Sequence, residues 1–557
     1  AGASSRLSAM REANPMQTPH SMEGSARLTN LQGATTGGEE DGAEVLAEFI
    51  NFGDIVVLYN DEVDALLASE GIIEERCVAR KLGSSTCGNV EDAQFRVIGR
   101  QVYVAQKKYL KLKKQQAHLQ QSAAVAEGKS KKGDGAGDDT EYALKRLAQE
   151  ALTERSNNFF TSKRLLGHPV NFGQAMQLEH VKSGKLLTVC PKEVADQENN
   201  CQKVGLKELG SPDSWWNIKP RYKLQGTTQA VRYVETVSIE SEKHSHLLHC
   251  AARPIPDAAL EAAGIHLHEV NTGKDRSNWK FRVFSRWMPH NERFVRGGDI
   301  VQLFHAEADS LLSFGGSSSP DAQGRVYLCP KTDQEEALAL CSLWRIEKEE
   351  VFDGSILTFG GGCRLRHLAT NQYLAVRQVR EEEAIALSFE AVPQTLLTTL
   401  AVRGNNEDRR LVSGSLIYLQ ARDCQLYIHA QSELGTGLDT NVSTLIRGSS
   451  KLHGQDGFRI LPVLKHQVTN AFHTLASKHC LAMFKSLFER QERSGASFLA
   501  RSHYQYSFTA KMLMHLAHLC KHASAIPTKE AVELNSALLT ASASGPSASM
   551  PSEGDRG

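Results

Sequence analysis

One stretch decides the fold: GGDIVQLFHAE at residues 297–307, which is followed by Leu311-Leu312 and by LWRI at residues 343–346. The apolar residues of the stretch alternate, which is typical of a strand with one buried face, and its two glycines predict a turn before the strand. The later segment combines an aromatic and an aliphatic residue and predicts a closing strand. Together they predict a small β unit with a hairpin between two strands.

The same order of features recurs along the chain, which indicates a repeat architecture. Strands that open such a unit are predicted at residues 52–59, 172–180, 231–239, 297–307, 362–368 and 414–419. One unit exposes an apolar face that it cannot cover alone, whereas three units around a pseudo-threefold axis close into a β-trefoil barrel without free edges. The units therefore predict two barrels in tandem. We expect the boundary near residues 221–231, which places the stretch 297–307 in the middle unit of the second barrel.

The resulting fold class is mainly β with α, and the segments outside the barrels differ in composition. Residues 1–44 are rich in Gly, Ser, Ala and Glu and have few large apolar groups, so we expect disorder there. Helical spacing on both sides of a polar turn predicts a helical hairpin inserted at residues 104–165. The predicted order is disorder over 1–44, a first β-trefoil over 45–228, a second β-trefoil over 229–465, a helical segment over 466–526 and a low-complexity tail over 527–557.

The overall charge excludes some classes of partner. The 64 Lys and Arg residues balance the 64 Asp and Glu residues, so no overall field draws the chain to nucleic acid or to an anionic membrane. The basic run at residues 107–114 has Tyr109 as its one aromatic residue, whereas nucleic-acid stacking needs interleaved aromatics, so the run indicates a solvated helix face. No stretch approaches the ~20 apolar residues of a membrane helix. We expect a soluble chain that binds no nucleic acid.

The cysteines, histidines and tryptophans favour structural roles. The eleven cysteines form no CxxC pair and are odd in number, which is typical of reduced, mostly buried thiols in a cytosolic protein and gives no support for zinc. His180, His305 and His367 occupy the same place in three units without a recurring second ligand, so we expect duplicated structural residues. The five tryptophans lie at strand closures and are predicted to fill the core or an interface.

No pattern indicates an enzyme. The sequence has no GxSxG elbow, no GxGxxG after a strand and no P-loop, so we expect neither catalysis nor a cofactor or metal. A lectin-like trefoil would need an Asp and an aromatic residue in each hairpin, and the sequence does not show that pair. The remaining candidate is an anion pocket between the second barrel and the helices after it, with scattered solvated charges as the simpler alternative. Its available cations are Arg325, Lys331, Arg501 and Lys511.

Five segments of the chain follow a specific order. They are GDI at 53–55, KRLLG at 163–167, SWWNIKP at 214–220, GDIVQLFHAE at 298–307 and RHLATNQYLA at 366–375. In this order they resemble the amino-terminal cytosolic region of the inositol trisphosphate receptor and ryanodine receptor family of calcium-release channels. The resemblance extends from about residue 47 to residue 520, and it rests on the order because single units also resemble other proteins with MIR domains.

The resemblance implies two tandem β-trefoils, the first suppressor-like with a helical arm, followed by an armadillo-like helical domain. It implies the ligand-sensing and gating end of a ligand-gated calcium channel on the cytosolic face of the endoplasmic reticulum membrane. The implied partners are an inositol polyphosphate and the neighbouring subunits of a homotetrameric channel. The membrane pore would belong to a missing carboxyl-terminal part, and the length of the arm favours the inositol trisphosphate branch.

This chain departs from the family at positions that the resemblance assigns to the ligand. Gln302 and Ser310 stand where basic residues are implied, and CPKTD at 329–333 replaces a basic Arg-Thr-Thr-Gly-Arg loop. No Arg-x-x-x-Lys-x-x-Arg pattern follows residue 520. The sequence therefore predicts a degenerate inositol polyphosphate site. A scaffold that keeps the fold without the ligand and a lectin-like binding module remain the alternatives.

Overall fold

The computed structural model describes residues 48–468 except 72–73, 82–89, 126–135, 223–228, 257–265, 290–292, 316–324, 331–339, 371, 380–381, 389–390, 402–408, 432–443 and 465–466. In the described part the chain has 24 strands and two α-helices, which confirms the predicted class of mainly β with α. The predicted disorder at 1–44 and the tail at 527–557 lie outside the described residues. The predicted helical segment 466–526 also lies outside them, apart from Gln467 and Val468.

The strands form two sheets, and the helices lie between the fourth and fifth strands of the first. The first sheet contains β1 (Ile55–Asn60), β2 (Ala65–Ala68), β3 (Val78–Lys81), β4 (Phe95–Gly99), β5 (Ala175–His180), β6 (Leu186–Val194), β7 (Gln202–Lys207), β8 (Trp216–Pro220), β9 (Thr236–Ser241), β10 (Leu247–Pro254), β11 (Leu267–Gly273) and β12 (Trp279–Ser285). The second contains β13 (Ile300–His305), β14 (Ser310–Gly315), β15 (Arg325–Pro330), β16 (Trp344–Lys348), β17 (Gly362–His367), β18 (Tyr373–Val379), β19 (Glu382–Ser388), β20 (Leu397–Ala401), β21 (Leu416–Ala421), β22 (Tyr427–Gln431), β23 (Thr444–Ser449) and β24 (Phe458–Pro462). The helices are α1 (Val104–Val125) and α2 (Ala136–Leu165).

Each sheet closes on itself because its first strand pairs with its last. In the first sheet β1 pairs antiparallel with β12, from Ile55 opposite Ser285 to Asn60 opposite Trp279. In the second sheet β13 pairs with β24 in the same antiparallel sense. Pairing the outermost strands with each other removes edges that would otherwise template association with other chains. The two tandem β-trefoils predicted from the repeats are confirmed.

The break between the barrels comes later in the chain than the sequence predicted. Because β9 pairs with β8 and β12 pairs with β1, residues 229–285 complete the first barrel, and the boundary predicted at 228–229 is one unit too early. The physical reason is closure, since β1 and β8 would each keep an open edge without a third unit. The stretch 297–307 accordingly contains the first strand of the second barrel, rather than a strand of its middle unit.

A left-handed turn opens each unit, as the glycines of the opening stretch predict. Gly298 has a φ of +92°, which glycine adopts at little cost. Its N–H donates to the carbonyl of Ile346 at 2.7 Å, which ties the turn to the closing strand. The next residue, Asp299, accepts the backbone N–H of Arg296 at 2.8 Å. The same left-handed position recurs at Gly53, Gly173, Val234, Gly360 and Gly414.

Each barrel has its own core, and buried tryptophans at the starts of its closing strands fill that core. Trp216 and Trp279 belong to the first core and Trp344 to the second, and all three are fully buried. Each indole N–H donates at 2.9 Å to a leucine carbonyl of the neighbouring hairpin, at Leu187, Leu248 and Leu312 respectively. Trp215 instead donates to the chain beside the arm, and Trp287 packs in the connection between the barrels. The predicted core and interface roles are therefore both present.

Three buried histidines hold the hairpins that follow their strands. His180 ends β5, with Nδ1 2.9 Å from Ser183 Oγ and Nε2 3.2 Å from the carbonyl oxygen of Asp92. His367 makes the same two kinds of contact, and His305 accepts a backbone N–H. These contacts are the structural role predicted for the three residues. In the described part of the chain, no group of three or more His, Cys, Asp or Glu side chains is arranged to hold a metal ion.

The helical arm occupies the residues predicted for it. It begins at Val104 and ends at Leu165, so the insertion at 104–165 is confirmed. The carboxylate of Glu154 on α2 accepts the N–H of Ala105 at 2.8 Å and of Gln106 at 3.1 Å, which caps the start of α1. Among the described helices, none has both the length and the apolarity needed to cross a membrane.

Most of the cysteines that the structure describes are buried thiols. Burial raises the pKa of the Cys363 thiol to about 12, so this side chain is a protonated thiol near neutral pH. Burial also raises the pKa of Cys250 to about 12. These thiols behave as small core residues rather than as nucleophiles.

Candidate functional site

The edge of the second barrel formed by β13, β14 and β15 carries the positions that the sequence singled out. Arg325 is the first residue of β15, and its backbone lies opposite Gly315 of β14. Lys331 follows the last residue of β15 and lies outside the described residues, as do Arg501 and Lys511. The anion pocket predicted from these four cations therefore stays a prediction.

Two other positions on this edge bracket residues 331–339. The start of that segment is placed by the pairing of Pro330 with Ser310. Its end is placed by a hydrogen bond in which Gln302 Nε2 donates to Ser342 Oγ at 2.8 Å. The resemblance had pointed to Gln302 and Ser310 separately. The structure places these two positions at the two ends of one segment.

Both bracketing positions are neutral, and their polar groups are used within the protein. Ser310 is buried, and its hydroxyl donates to the carbonyl of Ala308 at 2.7 Å. The amide N–H of Gln302 is committed to Ser342 in the same way. A phosphate group is held by charge-assisted hydrogen bonds worth ~1.5–3 kcal/mol each, and neither side chain supplies a positive charge.

Just beyond Ser342, a side chain of the second barrel reaches the first barrel. The guanidinium of the buried Arg345 pairs with the carboxylate of Glu91, which lies in a 3-10 turn of the first barrel. Nearby, Phe352 of the second barrel packs on an apolar cluster of the first barrel that includes Val57. The barrels therefore share a contact that combines an ion pair with apolar burial. Sequence reasoning missed this contact because Arg345 and Glu91 are 254 residues apart.

The strand that carries Arg345 also holds a second buried charge. Glu347 accepts a hydrogen bond from Arg366 at 3.1 Å and another from the hydroxyl of Tyr373 at 2.7 Å. Burial raises the pKa of Tyr373, and the Glu347 carboxylate raises it further, so the hydroxyl stays a donor. One face of strand β16 thus carries both a contact within its own barrel, through Glu347, and a contact to the first barrel, through Arg345.

The connection between the barrels is held at both ends. Asp54 of the first barrel accepts the N–H of Trp287 at 2.8 Å and lies 3.1 Å from Arg286 Nη1. At the far end Arg296 donates to the carbonyl of Arg286 at 2.9 Å. Burial raises the pKa of Asp299 to about 6, against the opposing effects of the N–H and the charge of Arg296. A carboxyl group that titrates near pH 6 therefore lies at the junction.

A cavity of about 250 Å³ opens where hairpins from the three units of the first barrel meet. Its charges pair with each other, since Lys207 Nζ lies 3.1 Å from Glu75 Oε2 and Lys203 Nζ lies 2.6 Å from Asp196 Oδ1. Its described lining contains no aromatic residue, which a lectin-like sugar site would need. No sequence motif could have indicated this cavity, because each unit contributes only part of it.

Two closed β-trefoils in series, with an arm on the first and contacts between them, define a tandem β-trefoil module. The particular assignment comes from comparison with protein families. Residues 46–290 match the family described as inositol 1,4,5-trisphosphate/ryanodine receptor, and residues 293–429 match the MIR domain. Two family models therefore match the chain in series, and the resemblance seen in its motifs is confirmed. The first match ends in the connection between the barrels, in agreement with the strand pairing.

A receptor of known type is also similar to part of the chain. It is the inositol 1,4,5-trisphosphate receptor itr-1 of Caenorhabditis elegans, which is 27% identical over 347 residues. The match covers 58% of this chain and 11% of the receptor, so the chain spans about a tenth of the length of that relative. The similarity therefore concerns part of this chain and a small part of the receptor.

Proposed function

We propose that the chain is the amino-terminal cytosolic ligand-sensing and gating module of an intracellular ligand-gated calcium-release channel. The support is the series of two receptor-family domains and the similarity to an inositol 1,4,5-trisphosphate receptor. In this proposal the chain lies on the cytosolic face of the endoplasmic reticulum membrane. It contacts neighbouring subunits of a homotetramer, acts on a pore in another part of the protein and has no catalytic activity.

One observation supports the proposal that a signal passes from the second barrel to the first. Ser342, which binds Gln302 at the candidate ligand edge, is three residues from Arg345, which pairs with Glu91 of the first barrel. A shift at the ligand edge would move the segment that bears Arg345, because both contacts belong to one short stretch of chain. Coupling between sites needs such a contiguous element with contacts at both ends. The geometry therefore supports a module in which the second barrel senses and the first barrel responds.

The proposed ligand site is degenerate for inositol trisphosphate. The neutral pair Gln302 and Ser310 supports this part of the proposal, since an inositol polyphosphate needs several converging cations to offset desolvation. An inositol polyphosphate would then bind weakly, through Lys331 and Arg325 of the second barrel and Arg501 and Lys511 of the helical segment. The neutral edge also favours the second candidate, a scaffold that keeps the receptor fold without its ligand.

Calorimetry with inositol 1,4,5-trisphosphate at low salt tests the ligand site. We expect the wild-type chain to bind more weakly than ~1 μM, and Gln302→Arg to bind about tenfold more tightly, because one charge-assisted contact is worth about 1.5 kcal/mol. Gln302→Glu is the matched control and should not gain affinity. Weakening by Lys331→Ala would support the predicted cation pocket.

The outcomes separate the two candidates. Wild-type binding at micromolar affinity or tighter would contradict the degenerate site. No heat from the wild type and none from Gln302→Arg would favour the ligand-free scaffold over the sensing module.

A further inference from the structure

The arm exposes an aromatic pair on an otherwise polar helix face. Phe159 and Phe160 on α2 are 58% and 60% exposed, and their rings pack edge to face with centroids 5.8 Å apart. Scattered single apolar residues are ordinary on a surface, but two adjacent phenylalanines form a patch that water solvates poorly. Such a patch is typical of a surface that another segment covers.

Two cations border this patch. A shallow groove of about 590 Å³ is lined by Phe160 together with Lys163, Arg164 and neighbouring polar side chains. Neither Lys163 nor Arg164 forms an ion pair with any residue that the structure describes. The matching occupant therefore combines apolar side chains with carboxylates, because it must cover the rings and balance the two charges.

The amino-terminal part of the chain enters beside the end of this helix. Phe52 donates its N–H to the carbonyl of His168 at 2.9 Å and accepts the N–H of Gly167 at 2.9 Å. Gly167 lies two residues beyond Leu165, the last residue of α2. Glu48, the first described residue, is four residues before Phe52, so the chain that precedes it starts within about 15 Å of the carboxyl end of the helix.

The sequence before Glu48 contains both the apolar side chains and the carboxylates that this surface would bind, with the carboxylates nearer to Glu48. Four carboxylates lie in the segment EEDGAE at 39–44, and Leu28 and Leu31 precede it. From Glu48 an extended chain reaches residue 39 over about 30 Å, whereas Phe159 and Arg164 are only about 8 Å apart along the helix axis. The carboxylates nearest Glu48 can thus meet the cations nearest the helix end, with the leucines next to the phenylalanines.

We propose that the Phe159–Phe160 face of α2 is the docking site of the chain's own amino-terminal segment, residues 28–47. The carboxylates of Glu39, Glu40 and Asp41 bind Lys163 and Arg164, and the leucines cover the aromatic pair. This intramolecular contact does not depend on the proposed channel function. It gives a binding site to a segment whose composition alone predicts disorder, since tethering reduces the cost of ordering it.

A weak contact suffices because the segment is tethered. A docking interaction with a Kd of about 0.1 mM, at an effective concentration of about 1 mM, leaves the segment docked about ten times as often as free. The ionic part of the contact weakens as salt rises, because surface charges are screened over a Debye length of about 10 Å at 0.1 M. Docking is therefore measurable at low salt and reversible.

Amide hydrogen exchange of residues 28–47 in the full chain at low salt tests this proposal. We expect exchange about tenfold slower than in an unprotected segment. Phe159→Ser with Phe160→Ser should abolish the protection, and so should Lys163→Glu with Arg164→Glu. The matched control reverses two exposed lysines of the neighbouring helix, Lys107→Glu with Lys108→Glu, and should retain it.

Charge exchange provides the second arm of the test. Glu39→Lys, Glu40→Lys and Asp41→Lys together should restore protection in the Lys163→Glu, Arg164→Glu background. The proposal is overturned by an unprotected wild-type segment, by a failed rescue, or by equal loss in the Lys107→Glu, Lys108→Glu control. Protection that increases with protein concentration would also overturn it, because the occupant would then come from a second copy of the chain.

Discussion

The two barrels share a frame of three units, but their accessory segments lie at different positions. The first barrel carries α1 and α2 between β4 and β5, after its first unit has closed. The second has no helix between β16 and β17, and its candidate site surrounds residues 331–339, inside a unit. The frame comes from turns and core residues that the units have in common. The accessory segments lie outside this shared frame, and they give each barrel different contacts.

Removal of a buried tryptophan from each barrel should cause the largest loss of stability, and it tests whether the frame is equivalent in both barrels. Trp279→Ala and Trp344→Ala each remove a fully buried ring and leave a leucine carbonyl without its donor. Each should lower the free energy of unfolding of its barrel by about 3–5 kcal/mol, measured by chemical denaturation. Trp215→Ala is the control and should cost less, because that ring is only partly buried. A large loss in one barrel alone would show that the frames are not equivalent.

A smaller effect distinguishes the opening turns of the two barrels. Asp54 and Asp299 hold the same position, but Asp54 also pairs with Arg286. Burial raises the pKa of Asp299 from 3.8 to about 6, so its contribution to stability is full below pH 4 and is lost as pH rises through about 6. Asp299→Asn should remove this dependence and raise the free energy of unfolding at pH 7 by at most about 2 kcal/mol.

Unfolding measured from pH 4 to pH 8 checks this prediction. Asp54→Asn should stabilise less at pH 7 than Asp299→Asn does, because it also removes the ion pair with Arg286. An unchanged pH profile in Asp299→Asn would contradict the role assigned to that carboxyl.

The smallest effect concerns the third unit of the first barrel. Val234 has a φ of +64° at the left-handed position that glycine occupies in the other units, and a β-branched residue is strained there. Val234→Gly should raise the free energy of unfolding by about 1 kcal/mol. The reverse change, Gly173→Val, should lower it, since a Cβ at Gly173 meets nothing within 4 Å and the cost is in the backbone alone. Denaturant midpoints that move in the same direction for both variants would disprove this.

The features that the sequence predicted correctly are local. The turn at Gly298, the closing residue Trp344 and the arm at 104–165 are each visible as spacing within a few tens of residues. Their physical causes are equally local, because left-handed backbone favours glycine and helical periodicity marks a buried stripe. The resemblance added Gln302 and Ser310, which the structure places at the two ends of one segment.

The features that the sequence missed depend on distant parts of the chain. The boundary between the barrels that the sequence predicts lies one unit too early. Repetition shows how many units the chain has, but it does not show which three of them form one closed barrel. The pair of Arg345 with Glu91 and the charged cavity of the first barrel bring together residues from separate units. Spacing within one segment carries no information about such contacts, so they need the folded arrangement.

We propose that the segment from Ser342 to Arg345 couples the candidate ligand edge to the first barrel. The most direct measurement is amide hydrogen exchange in the 3-10 turn Val90–Ala93 after Ser342→Ala, with Thr399→Val as the control. The control substitution removes the hydrogen bond from the hydroxyl of Thr399, which lies in the same barrel but on another strand, to the carbonyl of Thr358. We expect faster exchange in Ser342→Ala alone, because the loss of the Gln302 hydrogen bond loosens the segment that holds Arg345 against Glu91. Unchanged exchange in Ser342→Ala, or an equal increase in Thr399→Val, would contradict it.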